Sequence, residues 1–356
     1  MKNNSTESFV QNRIINKKLQ FKIWLRRWES GMIRYLERKL IGVNISDRLG
    51  GDGSSISHLY EISDQFIKSW QLEEANDKSE SPVKGIKLSE ATVEINHGLI
   101  RLRNGFILDD FLPHWQSLIY GGGLISEYRT TNKKKPRLQG EWTSVSNTPF
   151  YYHFLIEDLA RIARIRKDFP DIKVAIYKNQ ETWKYDLLRY FKFNFQEIEH
   201  ESITFEYYVT SSGGGHQNIA GVKILRDFNT TEDICSERKV NILIDRKGLS
   251  RENSEIEKFV TEILQPKGYI LINPDILSIS EQISLFRSAA NVVGVHGGAL
   301  ANLIWCSQIT KITEIQIHPY RTNDFEYLAK KLNMNYAVLK GEQNIEDFKK
   351  RILESF

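Results

Sequence analysis

Cysteine and long apolar runs are scarce in this chain of 356 residues. Its two cysteines, Cys235 and Cys306, are too few for a disulfide framework or a metal cluster, which fits a reducing cytoplasm. No apolar run approaches the roughly 18 residues that a membrane-spanning helix needs. The first residues are polar and lack the apolar core of a signal peptide. The sequence therefore predicts a cytoplasmic protein.

Strong net charge is also absent, but the charge that is present is unevenly placed. The formal net charge is +4, and residues 1–40 carry ten Lys and Arg against three Asp and Glu, which leaves the remaining chain near −3. No basic stripe follows this first segment, so we expect no nucleic-acid partner.

Residues 14–40 are predicted to form one basic amphipathic helix, because large apolar side chains recur there at helical spacing. Tryptophans beside a cationic face suit a helix lying on an anionic membrane surface, which would make the protein peripheral on the inner membrane. The alternative is a helix docked on its own protein, with its lysines and arginines solvated. A flexible joint over residues 43–57 follows, so residues 1–57 are predicted to stand apart from the domains.

The rest of the chain has the rhythm of an α/β protein. Alternation over residues 86–108 predicts a β-hairpin that turns at Asn96-His97-Gly98. From about residue 138, strands and helices alternate, which predicts two successive parallel-sheet domains over residues 58–230 and 231–356. The last helix could pack back on the first of them. Ser278 and Glu281 have the spacing of a capping box at a helix start.

The most informative stretch is an apolar strand ending at Val295, followed by His296-Gly297-Gly298 and a predicted helix. The first N–H groups of a helix have no partner within it, so this glycine-lined corner suits a diphosphate. His296 can donate a further hydrogen bond. The alternative is a buried strand-turn-helix whose glycines permit close packing.

Three more candidates are predicted at the same edge of the second sheet, because ligands bind beyond the carboxyl ends of parallel strands. Arg246 follows a strand and Arg251 lies five residues on, and both could clamp phosphate oxygens. A cation near a helix N-terminus is unfavourable, which favours an anion site over a plain surface charge. Glu314 could accept hydrogen bonds from ribose hydroxyls or be an ordinary strand carboxylate.

A second group of candidates stands at a strand-to-helix junction of the first predicted domain. His153 and Glu157 are four residues apart and share a helix face, and Asp158 lies beside them. A histidine and a carboxylate near an interdomain cleft can act as a general base, or as a base and its orienter. The alternative is a core histidine with a first-turn carboxylate that the helix dipole favours.

Three motifs, in their order and spacing, resemble glycosyltransferase family 61. They are the segments Tyr151–Glu157 (YYHFLIE), Ile244–Asn253 (IDRKGLSREN) and Gly294–Asn302 (GVHGGALAN). The resemblance covers about residues 90–340, and the basic N-terminal helix lies outside it. Phe154 stands where tryptophan is usual in the family, and Gly298 stands where alanine is commoner.

The resemblance implies a GT-B-like fold, in which two Rossmann-like domains face a cleft, here with a basic N-terminal helix and a small β-hairpin region. It implies that the nucleotide diphosphate is held by Arg246, His296, Gly297, Gly298 and Asn302, and we expect Arg251 and Glu314 beside them. An inverting transferase also needs a base. Glu157 is the favoured base, with His153 as its orienter or as an acceptor ligand, and Asp158 is the close rival.

The predicted function is therefore that of an inverting glycosyltransferase. It would move a sugar from a nucleoside-diphosphate sugar to an acceptor that is a lipid-linked glycan. The reaction would belong to the synthesis of a cell-surface polysaccharide of the capsular type. No cofactor and no metal are expected, because arginine, histidine and helix N–H groups would neutralise the leaving group. Two alternatives stay open, a non-catalytic glycan- or nucleotide-binding module with a degenerate site and an epimerase-like enzyme.

Overall fold

The computed structural model describes residues 66–73, 83–95, 98–101, 135–211, 218–228, 239–245, 254–317, 322–341 and 344–356. The predicted basic helix over residues 14–40 and the joint at 43–57 lie outside these ranges. The chain divides into two compact units. The first unit comprises Met1–Trp142 and His200–Gly214, and the second comprises Thr143–Glu199 and Gly215–Phe356.

Strands and helices alternate over most of the described chain, which makes the protein α/β. The strands are β1 (Phe66–Glu73), β2 (Val83–Glu94), β3 (Leu99–Arg101), β4 (Arg137–Ser144), β5 (Lys173–Tyr177), β6 (Phe195–Ile198), β7 (Ser202–Ser211), β8 (Val240–Ile244), β9 (Tyr269–Ile272), β10 (Ala289–Val295), β11 (Lys311–Gln316) and β12 (Asn335–Lys340). The α-helices are α1 (Ala160–Asp168), α2 (Thr182–Tyr190), α3 (Ile219–Arg226), α4 (Ser254–Leu264), α5 (Ile279–Arg287), α6 (Asp324–Lys331) and α7 (Ile345–Ser355). A π-helix over His153–Leu159 precedes α1, and a 3-10 helix over Gly298–Trp305 follows β10.

The first unit is built on antiparallel pairing. β2 pairs with β1 on one side and with β7 on the other, and the start of β4 runs parallel to β7. The predicted hairpin is confirmed, since β3 folds back on β2 with Val93 opposite Ile100. Gly98 in the turn has φ +64°, a conformation that glycine adopts without a steric penalty. The other turn residues, Asn96 and His97, lie outside the described ranges.

The second unit contains a fully parallel five-stranded sheet in the order β12-β11-β10-β8-β9. Counted along the chain, this order is 2-1-3-4-5, so the direction of winding reverses between β8 and β10. Ligands of such sheets bind at this switch point, beyond the carboxyl ends of the two strands. β8 ends at Ile244 and β10 ends at Val295, so His296 stands at this edge.

One hydrophobic core joins the segments on both sides of residue 230. It contains Leu155 of the π-helix, Val174 of β5, Ile283 of α5 and Leu303 of the 3-10 helix. The predicted boundary between residues 230 and 231 therefore falls inside the second unit, and both predicted groups of site residues lie in that unit. The assignment of acceptor and donor roles to two domains stays a prediction.

Close helix contacts complete the second unit. A Cβ atom at Gly221 of α3 would lie 1.9 Å from the Ala160 carbonyl oxygen, so only glycine allows α3 to approach α1 this closely. The closing helix α7 packs through Phe348 and Ile352 against Ile256 of α4, rather than returning to the predicted first domain.

The predicted capping box is confirmed at the start of α5. The Ser278 side chain accepts a hydrogen bond from the Glu281 N–H, and the Glu281 carboxylate accepts one from the Ser278 N–H. The Ser278 hydroxyl, and then the Ser278 N–H, donate to the Glu281 carboxylate and hold its pKa below the usual value.

Candidate active site

The corner after β10 has the features of an anion site. The His296 N–H donates to the Ile315 carbonyl at 2.8 Å, which fixes the corner to the end of β11. The 3-10 helix then begins at Gly298, which is exposed, and no side chain of the described residues caps this start. The first N–H groups of a helix have no partner within it. This corner therefore presents backbone donors at the switch point of the sheet.

Glu314 lies directly behind this corner and contacts His296. One carboxylate oxygen, Oε1, bonds to Nδ1 of His296, and the other accepts from the Tyr336 hydroxyl at 2.5 Å and from Gln316 Nε2 at 3.1 Å. The Glu314 side chain has no exposed surface, whereas the His296 side chain is 12% exposed. Burial, and then Glu314, raise the pKa of the Tyr336 hydroxyl. Glu314 is therefore placed to orient His296. The sequence had suggested that Glu314 contacts ribose hydroxyls or is an ordinary strand carboxylate.

A second histidine–carboxylate pair lies on the π-helix. His153 Nδ1 is 2.7 Å from Glu157 Oε1, as their spacing predicts. The His153 side chain is 26% exposed and that of Glu157 is 3% exposed. The second oxygen of Glu157, Oε2, is buried and has no hydrogen-bond partner among the residues that the structure describes. Buried polar atoms without partners are uncommon and costly, so this carboxylate is a candidate for chemistry.

Asp158, the rival carboxylate, is occupied on both oxygens. Oδ2 accepts from the Ser146 N–H at 3.0 Å and from the Ser146 hydroxyl at 2.5 Å, and Oδ1 accepts from Arg161 Nη2 at 2.9 Å. Arg161 Nη2 also donates to the Ser144 carbonyl at 2.6 Å. This buried network ties the helix to the end of β4. The geometry thus favours the His153–Glu157 pair over Asp158.

The two candidate regions meet within the second unit. A Cβ atom at Gly298 would lie 3.8 Å from the Tyr151 Cβ and 3.9 Å from the Tyr152 N. The rings of Tyr152 and Phe325 pack edge to face, with 5.2 Å between their centroids. The ring of Phe325 packs on that of His296 in the same way, with 5.4 Å between centroids. Tyr152 also packs on His153 at 5.3 Å. An aromatic path therefore links the two histidines.

Comparison with protein families finds a match. Residues 151–313 match the family model described as Glycosyltransferase 61, and the match begins at the π-helical segment and ends in β11. The chain is a glycosyltransferase.

Among solved structures, one that resembles this enzyme is the crystal structure of the bacterial iron-containing dodecameric glycosyltransferase TibC from enterotoxigenic E. coli H10407. The two share 10% sequence identity with a TM-score of 0.33, over 81% of this chain and 100% of that one. No curated protein matches the chain significantly.

The segment that matches the Glycosyltransferase 61 model contains nearly all of the predicted site residues. The structure describes some of them and not others. His153, Glu157, His296, Gly297 and Gly298 lie around the junction just described. Arg246 and Arg251 fall within the matched segment but outside the described residues, so their predicted phosphate contacts remain predictions. Glu314 follows the last matched residue.

Two further residues that the sequence analysis singled out, Asn302 and Phe154, have buried side chains. Asn302 is 1% exposed, and its Oδ1 accepts from the Tyr151 hydroxyl at 3.1 Å and from Trp305 Nε1 at 3.0 Å. Asn302 thus joins the two helical segments, and its predicted diphosphate contact stays untested. Phe154, which replaces the family's usual tryptophan, is fully buried and packs on Trp183 at 5.2 Å.

Tyr336 and Phe325 also contact the candidate site residues and were absent from the sequence-based candidates, whereas the sequence placed Gln316 at this edge of the sheet. Tyr336, Gln316 and Glu314 share one face of the sheet, because Glu314 is opposite Val338 in a parallel register and side chains alternate along strands. The strand order needed to see this is a tertiary property, so only the alternation itself could have been found from the sequence.

Across the ranges that the structure describes, no group of three or more His, Cys, Asp or Glu could hold a metal ion. Within those same ranges, no helix is both long and apolar enough to cross a membrane.

Proposed function

We propose that this glycosyltransferase takes its sugar from a nucleoside-diphosphate donor whose phosphates lie on the start of the 3-10 helix, beside His296. The observation that carries the proposal is the contact of Gly298 with the Tyr151–Tyr152 segment. It brings an uncapped, exposed helix start next to a histidine–carboxylate pair. A phosphate on the one and an acceptor hydroxyl on the other would then flank the same anomeric carbon.

The leaving diphosphate needs electrostatic stabilisation, because it carries away the electron pair of the broken C–O bond. Backbone N–H groups and a histidine donor that are already in place supply this stabilisation without reorganisation. We expect Arg246 and Arg251 to add charge at the same edge. In this proposal no metal is required.

The acceptor hydroxyl needs a base on the opposite face of the sugar. We assign this role to His153, with Glu157 as its orienter, which exchanges the roles that the sequence favoured. Glu157 is buried, whereas His153 has exposed surface that a hydroxyl can reach. The proton of the acceptor hydroxyl passes to His153 Nε2, the oxygen attacks the anomeric carbon, and the bond to the diphosphate breaks with inversion.

The remaining parts of the proposal concern the setting of the reaction. We propose a glycan acceptor, lipid-linked during cell-surface polysaccharide synthesis, a cytoplasmic location, and the GT-B arrangement that the family resemblance implies. Residues 14–40 would hold the enzyme on an anionic membrane surface. Deletion of residues 1–40 should release the protein from such membranes and preserve turnover of a soluble acceptor, and membrane retention of the truncated protein would contradict this role.

A transfer assay with EDTA tests the proposed reaction. The wild-type protein is incubated with a panel of nucleoside-diphosphate sugars and soluble glycosides, and release of the nucleoside diphosphate is followed together with the anomeric configuration of the product. We expect one donor to be consumed, with an inverted product. A retained configuration, a requirement for metal, or conversion of the donor without acceptor would contradict the proposal, and the last result would indicate an epimerase.

A further inference from the structure

Glu314 is a positioning residue for the donor's phosphates, we propose, and it acts by holding His296 rather than by touching the ribose. This inference rests on the proposed function. The proposal starts from a buried network that crosses three neighbouring strands. His296 directly follows β10, Glu314 lies in β11, and Tyr336 lies in β12.

Every oxygen of the Glu314 carboxylate has a partner in this network. Oε1 bonds to His296 Nδ1, and Oε2 accepts from the Tyr336 hydroxyl and from Gln316 Nε2. Gln316 Nε2 also donates to the Thr322 carbonyl at 2.6 Å, which anchors the amide to the segment before α6. Three side chains therefore hold the carboxylate in one orientation, and the carboxylate in turn holds the imidazole.

The location of the carboxylate argues against contact with a ligand. The Glu314 side chain has no exposed surface. Glu314 is paired with Gly294 of β10, and packing at Gly294 is so close that a Cβ atom added there would lie 3.1 Å from Ile244 Cδ1. A nucleotide could reach Glu314 only by displacing packed side chains. The His296 side chain has exposed surface at the sheet edge, so His296 is the member of this network that a ligand can meet.

A carboxylate on Nδ1 has a defined effect on a histidine. It keeps the proton on Nδ1, fixes the plane of the ring, and stabilises the imidazolium form when the other ring nitrogen meets an anion. Nε2 is then the atom that faces the phosphates. A hydrogen bond from a charged donor is stronger than one from a neutral donor, so this arrangement increases affinity for the diphosphate.

The experiment separates positioning from ribose contact. Affinities for a ribonucleoside diphosphate and for its 2′,3′-dideoxy counterpart are measured with the wild-type protein and with Glu314→Gln, using the base that binds the wild-type protein. We expect Glu314→Gln to weaken both ligands by the same factor, about tenfold or more. Asparagine at the exposed strand residue Glu197 (Glu197→Asn) serves as the control and should change neither affinity.

A spectroscopic readout reports the mechanism directly. In protein labelled with ¹⁵N-histidine, the wild-type His296 should show its proton on Nδ1, and Glu314→Gln should lose this signature. Tyr336→Phe removes one hydrogen-bond donor to Glu314 and leaves the charge of Glu314 in place. It should weaken binding a few-fold, and it tests the network if Glu314→Gln fails to fold.

Three outcomes overturn the inference. Loss of affinity for the ribonucleotide alone would show that Glu314 contacts the ribose. Unchanged affinities in both Glu314→Gln and Tyr336→Phe would show that the network does not act on the ligand. If the wild-type protein binds no nucleoside diphosphate, the proposed function fails as well, whereas binding and transfer that are indifferent to Glu314 remove this inference alone.

Discussion

Two histidine–carboxylate pairs in the second unit share their first contact and differ in what surrounds it. His153 bonds through Nδ1 to Glu157, and His296 bonds through Nδ1 to Glu314. The second oxygen of Glu314 accepts two hydrogen bonds, whereas the second oxygen of Glu157 is buried and meets no hydrogen-bond partner in the described part of the chain. The pair with the unsatisfied carboxylate also has the more exposed histidine.

We infer from this difference that one pair is a rigid anchor and that the other is the reactive pair. A carboxylate with all its partners supplied by the protein keeps one position and fixes its histidine. A buried carboxylate oxygen without a hydrogen-bond partner lowers the stability of the fold, and such atoms are expected at functional sites. We therefore assign ligand orientation to the His296–Glu314 pair and proton transfer to the His153–Glu157 pair.

The largest expected effect comes from removing the proposed base. His153→Ala should lower kcat by about 10²- to 10⁴-fold, because general-base catalysis contributes that much. Affinity for the nucleoside diphosphate should stay unchanged, since His153 does not contact the phosphates in the proposed complex. Steady-state kinetics and calorimetric titration measure the two quantities. His200, which is exposed in the first unit, provides the matched control His200→Ala with full turnover. Full turnover in His153→Ala would refute the base assignment.

The next effect distinguishes the two neighbouring carboxylates. Asp158→Asn should lower the free energy of unfolding by about 3 kcal/mol, because it leaves the buried Arg161 guanidinium without its counter-charge. Glu157→Gln should cost about 1 kcal/mol and reduce kcat, because it loses the charge that orients His153. Urea unfolding and turnover at a temperature where both variants are folded provide the measurements. The reverse pattern would make Asp158 the functional residue.

A smaller effect tests the anion corner. Gly298→Glu places a carboxylate at the helix start, where it competes with a phosphate, so affinity for the nucleoside diphosphate should fall about 10- to 100-fold. Gly298→Ala is the matched control, because its Cβ would have only ordinary contacts with Tyr151 and Tyr152. Isothermal titration compares the two. Equal affinity in both variants would move the phosphates away from this helix start.

The smallest effect concerns stability at alkaline pH. Tyr336 has a raised pKa in the folded protein, so its contribution is complete below the unfolded value of about 10 and is lost as the pH rises above it. Tyr336→Phe should therefore cost about 1 kcal/mol at pH 7, and its difference from the wild-type protein should shrink above pH 10. Unfolding curves at several pH values measure this, and a difference that grows with pH would contradict it.

Local patterns predicted much of the second unit. The alternation of strands and helices that the sequence predicts from about residue 138 is confirmed, and so is the capping box at Ser278. β6 was missed because it is short, with only Ile198 fully buried. α3 is short, with Ile219, Val222 and Leu225 buried at helical spacing, and its place in the fold depends on Gly221 packing against α1.

The site was predictable where it depends on local spacing. The contact of His153 with Glu157 follows from their separation of four residues. The role of Glu314 depends on which strands are neighbours, and the meeting of Gly298 with Tyr151 depends on helix packing. Both are tertiary properties, so the sequence could name these residues as candidates but could not show which of them contact one another.

One measurement tests most directly whether the two pairs share one ligand. Histidine side-chain NMR spectra of ¹⁵N-labelled wild-type protein are recorded during titration with a nucleoside diphosphate, with signals assigned through single histidine variants. We expect the signals of His296 and His153 to move together with one saturation curve, the His296 signal moving further, while the exposed His200 stays fixed. Saturation that leaves both His296 and His153 unchanged would contradict a donor site between the two pairs.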